Sequence, residues 1–247
     1  MSLRIFLNGS LGRMGAAIRS VAADCDCTIA AAVDAGDDLP HDLGQADVVV
    51  DFSVHTATLP IVRLAATAGI PCVIGTTGHS ADAIAAIREF RRSIPLVWAG
   101  NYSVGVNVLL HLTETAAQVL GPAFETELLE LHHRHKVDAP SGTAINLLDA
   151  IGAVRDLPAE AIRHGRHGTT GARAGEEIGV HAVRGGDVVG EHTVFFFGSG
   201  ERLELTHKAS DRAIFARGAL RAARWVCGRE PGLFDMRDVL GLRRPQE

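Results

Sequence analysis

The chain has 247 residues, 47% of them hydrophobic and 21% charged, with a formal net charge of −5. That is enough chain for one large domain or two small ones, each with its own core. The acidic balance argues against wholesale nucleic-acid binding, which asks for a basic face. No run approaches the ~20 apolar residues of a membrane span, and "MSLRIFLNGS" is too short an apolar run for a signal peptide, so a cytoplasmic protein is expected. The four cysteines (Cys25, Cys27, Cys72 and Cys227) lack paired CxxC spacing. They read as thiols in a reducing compartment, and no metal is expected.

Over the first hundred residues strand and helix patterns alternate. "LRIFL" is a short apolar strand, and "GRMGAAIRSVAA" places Met14, Ala17, Ile18 and Val21 on one helical face. "CTIAAAVD", "DVVVDFS", "PCVIGTT" and "PLVWAGN" are further strands. Between them lie two helices, "ATLPIVRLAATAG", closed by Gly69, and "SADAIAAIREFRR", capped by Ser80. Strands apolar throughout and separated by helices predict a parallel sheet covered on both faces.

The pattern changes near residue 104. A long helix, "VGVNVLLHLTETAAQVLG", leads into "FETELLELHH", which alternates like a strand, and "SGTAINLLDAIGAV" is helical. A polar glycine-rich loop is expected over roughly 157–176. Three strands without intervening helices follow, "EIGVHAVRG", "VVGEHTVFFFG" and "RLELTHKA", and predict a mixed or antiparallel sheet with helices on one face. Phe195, Phe196 and Phe197 put aromatics on both faces of one strand; the ring on the outer face is either buried within the chain or covered by another subunit. "DRAIFARGALRAARWVCG" is helical, and "GLFDMRDVLGL" is expected to return to the first domain. The expected fold is therefore α/β: a Rossmann-type dinucleotide-binding domain over 1–103 and 213–247, and an α+β domain for substrate binding and oligomerisation over 104–212.

"NGSLGRMG" joins the first strand to the first helix, with Gly9, Gly12 and Gly15 spaced as a variant of the dinucleotide fingerprint. Glycine allows the tight turn and a close backbone approach, and the helix N-terminus faces the pyrophosphate. The alternative is a plain βα turn. Asp34 ends the second strand, where a ribose-binding acid is expected. A carboxylate there favours NADH over NADPH, because it repels a 2′-phosphate and Ala35 supplies no cation for one. Arg13 leaves NADPH tolerable. "GTTG" at 75–78 and "AGNYS" at 99–103 end later strands, on the side where open α/β sheets bind ligands.

"ELHHRHKVDAPSGTA" at 130–144 crowds His132, His133, Arg134, His135 and Lys136 together. The histidines are too closely spaced for the usual separated metal-ligand pairs, and two cations stand among them. An anion site fits better: cationic side chains beside the start of a helix, with Ser141 as its cap and Gly142 and Thr143 in its first turn. Asp138 is placed to orient one of the cations. A polar surface loop is the alternative. Geometry adds a condition. In a continuous strand His132 and Lys136 would stand about 13 Å apart, at ~3.3 Å per residue. They serve one small substrate only if the strand ends near His133 and the chain curls, which Pro140 and Gly142 favour.

This segment resembles that of the 4-hydroxy-tetrahydrodipicolinate (dihydrodipicolinate) reductase family. "GSLGRMG", "VDFS", "VIGTTG", "NYSVGVNV", "VRGGDVVGEHTVFF", "GERLELTHKASDRAIFARGAL" and "GLFDMRDVL" extend the likeness over nearly the whole chain. The resemblance implies hydride transfer from NAD(P)H to C4 of a cyclic imine dicarboxylate, in diaminopimelate and lysine biosynthesis. It implies His132 as general acid and Lys136 as the second catalytic residue, with His133, Gly142 and Thr143 holding substrate carboxylates. The cofactor contacts it implies are Gly9, Ser10, Leu11, Gly12, Arg13, Met14, Asp34, Gly75, Thr76, Thr77, Ala99, Gly100, Asn101 and Tyr102. It also implies a homotetramer joined through the second-domain sheets. The rivals are another NAD(P)-dependent dehydrogenase of this architecture and a non-catalytic nicotinamide-binding sensor. The first has no reason to carry HHRHK with SGTA, and the second predicts erosion at His132 or Lys136.

Overall fold

A computed structural model describes residues 2–38 and 43–243, so the ends of the expected first domain, residue 1 and residues 244–247, lie outside the described residues. In chain order the elements are β1 (Leu3–Asn8), α1 (Arg13–Val21), β2 (Cys27–Val33), β3 (Val48–Asp51), α2 (His55–Ala68), β4 (Cys72–Ile74), α3 (Ala81–Glu89), β5 (Pro95–Trp98), α4 (Val104–Leu120), β6 (Glu125–His132), α5 (Gly142–Arg155), β7 (Ile162–His164), β8 (Ile178–Arg184), β9 (Gly190–Phe197), β10 (Arg202–Ala209), α6 (Ala213–Val226), β11 (Gly232–Phe234) and α7 (Met236–Leu240). The chain forms two compact units. One runs to Val104 and resumes at Arg212; the other is Gly105–Asp211.

The first unit holds a parallel six-stranded sheet in the order β11-β5-β4-β3-β1-β2. Its inner strands β1, β3, β4 and β5 are largely buried on both sides, and alternate residues feed two cores. Ile5, Leu7, Val48, Val50, Val73 and Val97 pack with Ile18 and Val21 of α1 and with Ala216, Ala219, Leu220 and Ala223 of α6. Phe6, Val49, Cys72, Ile74 and Leu96 pack with Ile61, Val62 and Ala65 of α2 and Ile87 of α3. Burial of both faces is why these strands read as continuous apolar runs. The predicted helix boundaries have local causes. Ser80 caps α3 by accepting the Ala83 amide at 3.2 Å, and Gly69 closes α2 with φ +67°. The order steps outward in opposite directions from β1, to β2 on one side and β3 on the other, which makes a topological switch point at their carboxyl ends. The tail does return: β11 extends the sheet beside β5, and Met236 and Val239 of α7 join the α1/α6 core.

The second unit is a mixed sheet in the order β10-β9-β6-β8-β7. β6 runs parallel to β8 and antiparallel to β9. The expected 157–176 loop is interrupted: β7 occupies part of it and adds an edge strand parallel to β8. Its three residues, Ile-Arg-His, are too few for a periodicity to show. Leu128, Ile178, Val180, Val194 and Phe196 pack with α4 and α5 on one face, through Leu109, Ala117, Leu147 and Ile151. On the other face Phe195 and Phe197 stack at 5.7 Å and are half-buried, so the chain itself covers these rings only in part.

Candidate active site

Two groups of predicted residues stand in separate units. In the first unit the turn after β1 is built for close approach. Gly9 has φ +86°, and a Cβ there would lie 2.4 Å from the Phe52 carbonyl oxygen. A Cβ on Gly15 would lie 2.2 Å from the Gly9 carbonyl oxygen, so α1 seats on the turn only because that position is glycine. Gly12 differs: a Cβ there meets nothing closer than 3.4 Å, and Gly12 caps the N-terminus of α1 with extended backbone. The space outside Gly12 is therefore open, at the end of a helix whose first amides point into it.

The turn is held from both sides. The Gly9 and Ser10 amides donate to the Val33 carbonyl at 3.0 and 3.2 Å. Asp34 accepts from the Leu11 amide at 2.5 Å and from the Ala35 amide at 2.7 Å. Those two backbone donors, Leu11 first, hold the Asp34 carboxyl below its usual range. Asp34 thus has a structural task that its position alone did not reveal. Beneath the switch point a buried network ties strand ends together. Asp51 Oδ1 accepts from Asn8 Nδ2 at 2.7 Å and Ser53 Oγ at 2.5 Å, and Oδ2 accepts from Thr58 Oγ1 at 2.7 Å.

Of the other predicted cofactor residues, Gly75 presses on the Phe52 ring, where a Cβ would lie 2.1 Å from a ring carbon. Thr76 is buried and accepts the Ser53 amide at 2.9 Å, whereas Leu11, Arg13, Thr77 and Gly100 are exposed. Met14 turns into the core. Tyr102 is fully buried, its hydroxyl 2.8 Å from the Ile74 carbonyl and 3.1 Å from that of Val97. Tyr102 can therefore present only backbone to a ligand, whereas Met14 is half-buried.

In the second unit the condition set by spacing is met. β6 ends at His132, and the Lys136 amide donates to the His133 carbonyl at 3.1 Å, closing a turn over the next residues. The Gly185 amide donates to the His132 carbonyl at 3.0 Å, and the Arg134 amide to Gly186 at 3.3 Å, so the turn after β8 braces the turn after β6. Ser141 caps α5: its Oγ accepts the Ala144 amide at 3.2 Å, which leaves Gly142 and Thr143 as the first two helical residues. Asp138 does pair with a cation, holding Lys136 Nζ at 2.8 Å. His133 is half-buried, with a buried Nδ1 that has no hydrogen-bond partner among the described residues.

The buried carboxylate of this site, Glu130, was not foreseen from sequence. His132 Nδ1 lies 2.5 Å from Oε2 of Glu130, a fully buried carboxylate. Arg184 grips the same carboxylate with both terminal nitrogens, at 2.8 and 2.7 Å, and the Ser141 amide donates to it at 3.2 Å. Burial raises the Glu130 carboxyl, but Arg184 and then His132 outweigh it and the group sits below its usual range. His132 is drawn below the usual imidazole range, chiefly by burial and further by Lys136 and Arg184, while Glu130 opposes the shift. His192 packs edge-on to His132 at 5.2 Å, with Nε2 3.0 Å from Ser141 Oγ; burial and the nearby His132 push it down to about 4.

A parallel sheet with a glycine turn at its switch point, carried in one chain with a buried histidine–carboxylate pair beside a cationic turn, is the make-up of a pyridine-nucleotide-dependent oxidoreductase. Residues 3–102 match the family model described as dihydrodipicolinate reductase, N-terminus, and residues 105–240 match the one described as its C-terminus. The chain belongs to the dihydrodipicolinate reductase family, an NAD(P)H-dependent oxidoreductase family of diaminopimelate and lysine biosynthesis. It is 50% identical to a protein named 4-hydroxy-tetrahydrodipicolinate reductase from Akkermansia muciniphila, over 97% of this chain and 98% of that one. It is 49% identical to one of the same name from Thiobacillus denitrificans, over 98% and 100%. Among solved structures, dipicolinate-bound dihydrodipicolinate reductase from Paenisporosarcina sp. TG-14 shares the fold, with a TM-score of 0.77 and 24% identity over 95% of this chain and 98% of that one. A probable dehydrogenase from Thermotoga maritima does so more loosely, at a TM-score of 0.61 and 12% identity over 97% and 93%.

Proposed function

We propose that the chain reduces 4-hydroxy-tetrahydrodipicolinate (dihydrodipicolinate) to tetrahydrodipicolinate, with NADH favoured and NADPH accepted. The observation that carries this reading is the sequence strand end, turn and helix start, which sets His132, Lys136 and the Gly142–Thr143 terminus within one short stretch. A ring with two carboxylates asks for that set: helix-terminal amides and cations for the anions, and an acid for the ring.

In the first unit, the open space outside Gly12 fits a pyrophosphate, and Asp34 fits a ribose hydroxyl. Gly9, Ser10, Leu11, Gly12, Arg13 and Met14 would hold the phosphates, while Gly75, Thr76, Thr77, Ala99, Gly100, Asn101 and Tyr102 would line the nicotinamide end. When bound, a reduced nicotinamide supplies the hydride for C4 of the substrate ring. The protein's own task is then to place the ring and discharge the electron density left on it. His133, Gly142 and Thr143 bind carboxylates. Lys136 holds positive charge beside one of them, or donates a second proton, and Asp138 steers its ammonium group. His132 delivers a proton from Nε2 to the enamine-like product of reduction. Functional halves follow: a dinucleotide-binding domain over 1–103 and 213–247, and a substrate-binding and oligomerisation domain over 104–212. The half-buried Phe195 and Phe197 support a homotetramer joined through this second sheet. Among the described residues no helix is long and apolar enough to cross a membrane, which supports a cytoplasmic enzyme.

The test couples the protein to the synthase that condenses pyruvate with aspartate semialdehyde, and follows loss of reduced nicotinamide at 340 nm. Wild-type protein is expected to consume it stoichiometrically, and His132→Gln to turn over ~10²–10⁴-fold more slowly. No consumption by wild-type protein rejects the reaction, and a fast His132→Gln with chemistry rate-limiting rejects the acid.

A further inference from the structure

The strongest unassigned feature is the carboxylate on the buried face of β6. Thr126, Leu128, Glu130 and His132 alternate onto the side that carries the core, and Glu130 is fully buried there. A carboxylate at such a position is costly unless it is paired and hydrogen-bonded. Here each oxygen has two partners. Oε1 receives Arg184 Nη2 and the Ser141 amide; Oε2 receives Arg184 Nη1 and His132 Nδ1. One group thereby touches the residue read as the acid, the cation on β8, and the cap of the helix read as the carboxylate site.

We propose that Glu130 is a positioning residue that fixes the tautomer and aim of His132 and locks it in register with the start of α5. The proposal rests on His132 being the acid. An ionised carboxylate can only accept, so the hydrogen facing it must sit on Nδ1. The proton that His132 gives away is then the one on Nε2. After transfer the imidazole is neutral with Nδ1–H still donated to Glu130, and Glu130 itself takes no proton. Room is kept on that side: a Cβ on Gly190 would lie 2.9 Å from Nε2. The charged and titratable groups around the ring are Glu130 on its own strand, Arg184 on β8, His192 on β9, and Lys136 in the following turn, whose charge Asp138 offsets. Glu130 favours the protonated ring, whereas burial, Lys136 and Arg184 oppose it, so its loss leaves them unopposed.

The experiment compares wild type, Glu130→Gln, His132→Gln and the double variant, with Glu130→Asp as a variant that keeps a charge facing Arg184. Readouts are kcat and KM for the substrate, and ¹⁵N NMR titration of the His132 ring in protein without ligands. Glu130→Gln is expected to lower kcat by roughly 10²-fold, with KM within about threefold, and to lower the His132 titration midpoint by roughly one pH unit. Glu130→Asp should fold and lie between, and the double variant should be no slower than His132→Gln alone. A folded Glu130→Gln or Glu130→Asp with wild-type kcat overturns the proposal, as does an unmoved titration. Losses that simply multiply in the double variant overturn it too. A fast His132→Gln overturns the acid assignment and this proposal together, whereas a slow His132→Gln beside a fast Glu130→Gln overturns only the positioning role.

Discussion

Replacing Gly12 and Gly15 separately by alanine should divide two functions that the glycine turn combines. A Cβ at Gly15 would lie 2.2 Å from the Gly9 carbonyl oxygen and 2.6 Å from that of Ser10, both backbone atoms that cannot rotate away. Reaching ordinary contact requires a shift of more than about 1 Å, an overpacking cost of ~1–3 kcal/mol. The gain in helix propensity returns ~1 kcal/mol of that. A net loss of up to ~2 kcal/mol lowers the melting temperature by up to roughly 8 °C. It also displaces the amides proposed to face a pyrophosphate. Gly12 has φ −65° and nothing nearer than 3.4 Å, so alanine there leaves the free protein's melting temperature within ~1 °C. Its methyl group instead occupies the space a pyrophosphate would use. Losing one charge-assisted amide bond is worth ~1.5–3 kcal/mol, or about 10–100-fold in Kd. Thermal unfolding of the ligand-free protein and calorimetric titration with NADH read the two effects. Gly12→Ala should weaken NADH and spare stability, and Gly15→Ala should harm both. NADH affinity unchanged in Gly12→Ala would refute the cradle; unchanged stability and affinity in Gly15→Ala would refute the packing argument.

Two further outcomes follow from charge. The wild-type enzyme should show a higher kcat/KM with NADH than with NADPH, and Asp34→Ser should narrow the gap; a strong NADPH preference in wild type sinks the Asp34 argument. Glu127 is drawn down to about 2: burial raises it, but Arg166, His181 and Arg173 more than offset that. Because its folded pKa lies below the unfolded one, its stabilisation is complete above about pH 4.5 and is lost as pH falls toward 2. Urea unfolding should show up to ~3 kcal/mol of acid-sensitive stability that Glu127→Gln lacks, and parallel pH curves for the two proteins would contradict this.

The fold was legible where one interaction dominates. Apolar runs of the first unit signal strands buried on both faces, and Ser80, Gly69 and Ser141 mark helix ends through their own hydrogen bonds or dihedrals. The strand end at His132 meets a condition of reach: His132 and Lys136 can serve one small substrate only if the strand stops near there. β7 escaped because three edge residues carry no period. Glu130 escaped for another reason. It stands among conspicuous basic residues, yet its signal was phase: an acid two places from Leu128 and two from His132, on the buried side of a strand. Such an acid demands a cation from elsewhere in the chain. That cation, Arg184, arrives through a parallel pairing of β6 with β8 that local sequence does not encode. Tyr102 and Met14 show the converse, positions that suit a ligand in one dimension while their side chains serve the core.

The return of the chain at Arg212 has a consequence during synthesis. α6 covers one face of the parallel sheet and β11 completes its edge, yet both are translated after the whole of Gly105–Asp211. At ordinary elongation rates the ribosome spends roughly 5–20 s on that interval. Throughout it, the nascent first unit presents Ile5, Leu7, Val48 and Val50 without the alanine-rich helix that later buries them. The later unit is contiguous and can close first. Nascent chains stalled before Arg212 should therefore be the form that trigger-type chaperones hold, and the glycine turn should gain its final shape only after the last helices have emerged.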